Sequence, residues 1–426
     1  MYLCARRQQI IIMVIERIRI ENFRGIEKID IPVDKHVNLL IGINGAGKTS
    51  VLEAVADVFS WFIARLKNPK GQGVVIPNDN IKMESRGGCS ISLSFENGKE
   101  WVLFKAKSYS RRNEENGKSE FQWMMDYIDG LKDSVEQGGN VPVVMYYPVN
   151  RAIDNVPAHL KRKKGVPEIW DTYEYALKGN ADFRSFFEWY RQQEDNENEH
   201  IRDDRDYKDR NLEVIRKALG LFFPEFSELR VRRNPQRFVI KKKDKQIEFN
   251  LLSQGEKCYL TLVCDLARRF ALANPYSDNP LAGSGVVLID EVDLHLHPQW
   301  QREIVEKLRT IFPNCQFFLS SHSPHVLSDV HAQQLIPLDN GRVTQIAYNP
   351  YGRLVDDILS NYFDIEMPRN KRIAQKIEEA YLKLEQNDKQ GFETLIEYLE
   401  AILGKTDPDV VNLRIEAYRK NRRKQD

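Results

Sequence analysis

The sequence predicts an α/β protein with a mixed sheet flanked by helices, and three observations carry that prediction. Val37-Asn-Leu-Leu-Ile41 is an almost unbroken apolar run that ends in a glycine-rich loop, and residues 50–64 continue with helical spacing and no breaker. Residues 286–289 and 316–320 are two more short, largely apolar runs of strand length. Between them, residues 298–311 have helical periodicity, so strand, helix and strand alternate as in a layered α/β core.

Other elements follow in chain order. Residues 18–23 alternate apolar and polar, as a half-buried strand does, within a first strand opened by Met13. Residues 89–95 and 100–107 form a hairpin pattern with Asn97-Gly98 at its turn. Residues 109–133 are polar, and 141–147 is again a buried-strand pattern. Residues 154–223 read as helical, with a charged stretch over 191–210 expected to be mobile and solvated. Residues 229–249 read as two strands around Lys243-Asp244, a helix starts at Ser253, and the chain beyond Gly352 is helical. The expected divisions are an N-terminal lobe (1–107), a mostly helical insertion (108–228), a C-terminal lobe (229–350) and a helical extension (351–426).

The chain has 426 residues, enough for one large core with insertions. Its 63 basic and 62 acidic residues nearly cancel, so any nucleic-acid contact must rest on a local patch. The five cysteines (Cys4, Cys89, Cys258, Cys264 and Cys315) contain no C-x-x-C pair, which argues for free thiols in a reducing compartment. The apolar run 10–15 is too short for a membrane span and lacks a cleavage site, so the expected location is the cytoplasm, with residues 1–12 a candidate misplaced start.

Four segments carry chemistry. Gly42-Ile-Asn-Gly-Ala-Gly-Lys-Thr49 matches G-x-x-x-x-G-K-[ST], in which backbone N–H groups and a helix N-terminus cradle phosphates. It nominates Asn44, Gly45, Ala46, Gly47, Lys48, Thr49 and Ser50 for ATP, with Lys48 at the β- and γ-phosphates and Thr49 on Mg²⁺. Val286-Val-Leu-Ile-Asp-Glu291 would deliver Asp290 beside Mg²⁺ and Glu291 beside the attacking water as general base. Leu252-Ser-Gln-Gly-Glu-Lys257 puts Ser253, Gly255 and Glu256 at a helix N-terminus, either as a second phosphate cradle or as an ordinary capping box. Phe317-Phe-Leu-Ser-Ser-His-Ser-Pro-His325 is a strand ending in His322.

Together these motifs, with Asn22-Phe-Arg-Gly25, resemble the ABC/RecF/SMC branch of P-loop ATPases over residues 13 to about 350. The resemblance implies an ABC-type nucleotide-binding domain in which Ser253 and Gly255 of one copy reach the nucleotide on Lys48 of another. It also implies Arg24 at the nucleotide, His322 as a switch histidine, and His295 and His297 in a D-loop rather than on a metal. The family's Q-loop glutamine has no clear counterpart, Gln72 being the nearest guess. The long coiled-coil arm of SMC proteins and the TOPRIM nuclease of OLD-type proteins have no counterpart either.

The chain's size, short insertion and helical tail also resemble the small Septu-type and retron-associated ATPases of bacterial defence operons. That likeness implies a partner HNH nuclease, with DNA or retron nucleic acid nearby. An alternative is a repair ATPase acting on DNA ends or gaps, and a second is a nucleotide-gated scaffold with little turnover. For nucleic acid, the basic run Arg230, Arg232, Arg233, Arg237, Lys241, Lys242, Lys243 and Lys245 is the foremost candidate, and Lys161-Arg-Lys-Lys164 the second. A solvated edge hairpin is the competing reading of the first run. In the tail, Tyr381, Leu382, Leu384, Leu395, Tyr398, Leu399, Ile402 and Leu403 supply apolar faces for a core or for a partner protein.

Overall fold

The computed structural model describes residues 13–83, 85, 87–107, 117–151, 168–177, 184–346, 348–363 and 369–422. Residues 1–12 and the basic run 161–164 lie outside these. The chain divides into two units, residues 1–353 and 354–426.

In the first unit, β1 (Ile15–Phe23) pairs antiparallel with β2 (Ile26–Pro32). The central sheet begins with β3 (Val37–Ile41), buried along its whole length as its apolar run requires, and α1 (Lys48–Lys67) follows the phosphate loop. The predicted hairpin forms as β4 (Gly88–Phe95) and β5 (Glu100–Ala106), completing a four-stranded sheet of order β2-β1-β4-β5.

Polar residues 109–133 hide a helix, α2 (Gln122–Glu136). Its buried residues Met124, Tyr127, Ile128 and Leu131 fall at helical spacing, and that period rather than mean polarity decides the outcome. Trp101 lies in an aromatic cluster with Phe59, Phe62, Phe95, Trp123 and Tyr127, which joins α1, α2 and the hairpin.

Within the range expected to be a helical insertion, β6 (Val143–Tyr147) joins the central sheet beside the strand that carries Asp290. All five of its residues are buried, which a sheet edge covered by helices permits and an exposed insertion does not. Helices α3 (Arg184–His200) and α4 (Arg210–Phe222) then follow. The charged stretch expected to be mobile is therefore largely helical. Glu194 and Glu197 are buried in it, Glu194 against Arg233 and Glu197 against Arg216, and pairing is what permits their burial.

The basic segment forms three strands, not two: β7 (Phe226–Arg233), β8 (Gln236–Lys242) and β9 (Lys245–Glu248). The extra turn runs through Asn234-Pro235, and the turn at Lys243-Asp244 is where the sequence places it.

The remaining core is α5 (Gln254–Ala273), β10 (Gly285–Ile289), α6 (Pro298–Ile311), β11 (Cys315–Ser320), α7 (Pro324–Leu327), β12 (Leu335–Asp339) and β13 (Arg342–Val343). The central sheet has the order β13-β12-β3-β11-β10-β6. All its pairings are parallel except β12 with β13, so it is mixed. One buried glutamine stitches the two larger sheets together: Gln316 accepts from Ile15 N at 3.0 Å and donates to the carbonyls of Ile15 and Asp34, both at 2.8 Å. Cys89, Cys258, Cys264 and Cys315 are buried free thiols.

The second unit holds α8 (Val355–Tyr362), α9 (Lys371–Glu385), α10 (Lys389–Leu403) and α11 (Pro408–Arg422). Its core is Ile377, Ala380, Phe392, Ile396, Leu399, Val410 and Leu413, with Tyr381, Leu384, Leu395 and Leu403 packed around it. Leu382, Tyr398 and Ile402, also predicted on apolar faces, are about half exposed instead. Among the described residues no helix is long and apolar enough to cross a membrane.

Candidate nucleotide-binding site

Parallel strands in register deliver their C-terminal ends to one edge of the sheet, and three of the four chemical segments meet there. β3 ends in the phosphate loop, β11 beside it ends near His322, β10 next ends at Asp290, and β6 flanks β10. In an open α/β sheet that carboxyl edge is where ligands bind.

The loop turns into α1 at Gly47, whose φ of 107° is a conformation that favours glycine. No side chain caps this helix, so its first N–H groups are free for an anion. Lys48 folds back to donate to the carbonyls of Gly42 (2.8 Å) and Ile43 (3.0 Å). Burial lowers its pKa, opposed by the negative charges of Asp290, Glu291 and Asp293. Thr49 Oγ1 donates to Asp290 Oδ2 at 2.8 Å. Ala46 is buried, while Asn44, Gly45 and Thr49 are exposed and Ser50 half-buried.

Asp290 is buried, and its second carboxylate oxygen accepts from Ser320 Oγ at the end of β11. Glu291 follows in a left-handed conformation (φ 47°), with its N–H donated to Ser320 Oγ at 2.7 Å. His322 is half-buried, and burial, then Lys48, depresses its pKa below the usual imidazole value. At neutral pH it is the neutral imidazole that faces Lys48 and the three carboxylates. Lys48, Thr49, Asp290, Glu291 and His322 are thus brought together at one edge of the sheet.

Asp293 was not singled out as a site residue, yet its charge reaches both Lys48 and His322. One of its carboxylate oxygens is buried with no hydrogen-bond partner among the described residues. A second residue beyond the motifs is Arg151, just after β6, whose guanidinium donates to the carbonyls of Asp290 and Glu291. Only the adjacency of β6 and β10 reveals it, although a buried-strand pattern running straight into Pro-Val-Asn-Arg was a usable signal. Gln72 is not at this edge. Gly71 and Gly73 on either side of it pack against Ala64 and Trp61 of α1, and Ala64 lies about 24 Å along the helix from Lys48 at about 1.5 Å per residue.

Arg24 sits beside α1, ion-paired with Glu53 and left-handed at φ 52°. One turn further along α1, burial and then repulsion from Glu53 push Asp57 up to about 7.

The signature segment caps α5. Ser253 Oγ donates to Glu256 Oε2 at 2.8 Å and accepts from Glu256 N at 3.3 Å, so the capping-box reading holds in this arrangement. Glu256 is also ion-paired with Lys242 of β8. A Cβ on Gly255 would lie 2.1 Å from the His295 carbonyl, so only glycine lets the D-loop region pack this closely on α5. Among the described residues, no hydrogen bond links Ser253 or Glu256 to residues 42–49.

Among the described residues no group of three or more His, Cys, Asp or Glu is placed to hold a metal ion. The Thr49–Asp290 pair fits Mg²⁺ in a different way. Mg²⁺ prefers oxygen donors and keeps several positions for water and substrate phosphates, so two protein oxygens at hydrogen-bond distance suit it.

The basic run is largely neutralised by its own surroundings. Arg233 pairs with Glu194 (3.0 Å) and Asp195 (2.6 Å), Arg237 with Glu248, Lys241 with Glu228 (3.1 Å) and Lys242 with Glu256. Arg230 lies 3.9 Å from Glu228, and Arg232 donates to Gln246. Lys243 and Lys245, at the β8–β9 turn, are exposed.

The sequence matches the protein family described as AAA domain, putative AbiEii toxin, Type IV TA system, over residues 37–328. The chain belongs to that family. It is an ATPase. Among its relatives, the Retron Ec83 probable ATPase of Escherichia coli is 27% identical over 94% of this chain and 85% of its own length. The Retron Vc95 probable ATPase of Vibrio cholerae is 27% identical over 79% of this chain and 76% of its own. The Septu protein PtuA of Bacillus thuringiensis is 23% identical over 93% and 96%. Among solved structures, an SMC head bound to the C-winged helix domain of ScpA covers 78% of this chain at 14% identity, with a TM-score of 0.42.

Proposed function

We propose that two copies of this ATPase close head-to-tail on ATP in the cytoplasm, and that closure regulates a partner nuclease in antiphage defence. The observation that carries the dimer is the separation of the two phosphate cradles. The P-loop and the capped N-terminus of α5 share one chain, yet no hydrogen bond among the described residues joins Ser253 or Glu256 to the P-loop. A second copy supplies the missing juxtaposition.

In this reading the loop N–H groups of residues 44–50 hold the β- and γ-phosphates, and Lys48 exchanges its two loop carbonyls for phosphate oxygens. Thr49 and Asp290 hold Mg²⁺, which supplies charge neutralisation at those phosphates. Glu291 takes the proton of the attacking water, and His322, neutral at pH 7, can donate to a γ-phosphate oxygen. Ser253 and Gly255 of the second copy close over that phosphate, and Arg24 stays beside α1 near the bound nucleotide.

Relatives named for retron and Septu systems, matched over most of their length, support the defence role. The half-exposed Leu382, Tyr398 and Ile402 of the second unit are the surface we assign to the partner, an HNH nuclease. With most of its cations already paired, the β7–β9 sheet offers a weaker claim on DNA than its composition suggests. The test is co-expression with the product of the neighbouring reading frame. A complex that tracks with ATP, and is lost in a Leu382→Glu/Tyr398→Glu variant, supports the proposal. DNA-stimulated turnover by the isolated chain, with no nuclease bound, favours the repair reading instead.

A further inference from the structure

Arg151 takes part in none of the sequence motifs, yet it touches one of them and the helix that follows another. Its side chain is buried, 1% exposed, immediately after β6. One terminal nitrogen donates to the Asp290 carbonyl and to Pro148 O (3.1 Å), and the other to Glu291 O at 2.5 Å. The planar fork of a guanidinium suits such a two-carbonyl grip, which an ammonium cannot reproduce. Ser320 holds the Glu291 N–H from the opposite side. The left-handed backbone that aims the Glu291 side chain is therefore pinned at its N–H by Ser320 and at its carbonyl by Arg151.

The same residue is clasped by the signature helix. The Arg151 guanidinium lies over the Tyr259 ring at 6.0 Å, and Cys258 Sγ contacts the Arg151 carbonyl at 3.9 Å. Both residues follow Ser253 within the first two turns of α5. Arg151 and Tyr259 are both buried at this contact. In so closely packed a joint, a shift of α5 is felt at the Arg151 guanidinium.

We infer that Arg151 is a positioning residue for ATP hydrolysis, setting the backbone that aims Glu291 and passing movements of the signature helix to it. The inference rests on Glu291 acting as the general base.

The test compares Arg151→Met, Arg151→Lys, Tyr259→Leu and Glu291→Gln in the full-length protein, measuring kcat by phosphate release and nucleotide affinity with a fluorescent ATP analogue. A displacement of about 1 Å at a reacting group costs on the order of a hundredfold in rate, so Arg151→Met should lose about that in kcat with an unchanged Kd. Arg151→Lys, which keeps the charge but not the fork, should recover part of it. Tyr259→Leu should lower kcat less, and add little to Arg151→Met in the double variant, because both act through one joint. Wild-type kcat in the Arg151 variants, or loss of affinity in step with kcat in both of them, overturns the inference while leaving Glu291 in place if Glu291→Gln is inactive. Additive losses with Tyr259→Leu overturn the link to α5. An active Glu291→Gln removes the base assignment and the inference together.

Discussion

At the P-loop, Lys48 and Thr49 already face the edge where a nucleotide belongs, whereas at the start of α5 the Ser253 hydroxyl is occupied by its own helix. Lys48 rests on two loop carbonyls that phosphate oxygens can replace, and Thr49 on Asp290, a pair of oxygens between which Mg²⁺ can sit. Ser253 instead holds the carboxylate of Glu256, an anion that under the proposed head-to-tail closure would meet the other copy's γ-phosphate. One cradle is therefore preformed by the sheet, and the other is covered by an intramolecular anion that Lys242 steadies. The contrast fits an enzyme whose nucleotide affinity resides in one copy and whose turnover waits for a second.

The largest expected effects test the preformed half. Glu291→Gln should lower phosphate release by about 10²- to 10⁴-fold, the usual contribution of a general base, while retaining ATP. Lys48→Ala should abolish both binding and turnover. Equal losses of affinity in the two variants would break the division of labour.

On the signature side, Gly255→Ala drives a methyl into the His295 carbonyl and should cost about 1–3 kcal/mol of stability by overpacking. Its turnover should fall more than its ATP affinity, because the P-loop is untouched. An unchanged rate would mean that α5 and the D-loop region do not act as one body.

A third prediction concerns Asp57 on the P-loop helix. Its pKa is raised from 3.8 to about 7, so the folded state holds a proton that the unfolded chain has released, and stability falls as pH rises through that window. Asp57→Asn removes the fall. Its stabilisation relative to wild type should be about 2 kcal/mol larger at pH 8 than at pH 5, and urea unfolding at the two pH values measures it. A gap independent of pH would show that Asp57 ionises normally.

The smallest effect is expected from Glu256→Gln, which removes the covering anion but keeps an amide that can still cap α5. Turnover at limiting protein should rise a few-fold, in line with about 1 kcal/mol of relieved competition. A fall instead would assign Glu256 a positive role at the phosphate.

How much of this was readable in advance follows from the range of each signal. The phosphate loop, the Asp290-Glu291 strand end and the α5 cap are contiguous patterns, and each lies where the sequence puts it. Glu194 and Glu197 carry no local sign of burial, because Arg233 and Arg216, which neutralise them, are separated from them by about twenty to forty residues. The third basic strand is signalled by Asn234-Pro235, a turn dipeptide that interrupts the run. Arg151 carries only a faint local signal, the strand pattern ahead of it, because its importance depends on β6 lying beside β10, strands about 140 residues apart. Local chemistry was legible; the partners that long-range packing supplies were not.

The central claim is that each working site takes its P-loop from one copy and its signature from another. Lys48→Ala and Ser253→Arg variants, each inactive alone, should regain activity when mixed. One heterodimer site then combines the intact P-loop of the Ser253→Arg copy with the intact signature of the Lys48→Ala copy, giving about one quarter of wild-type turnover for random pairing in a two-fold dimer. No recovery on mixing, with wild-type turnover per molecule unchanged on dilution, would contradict the account.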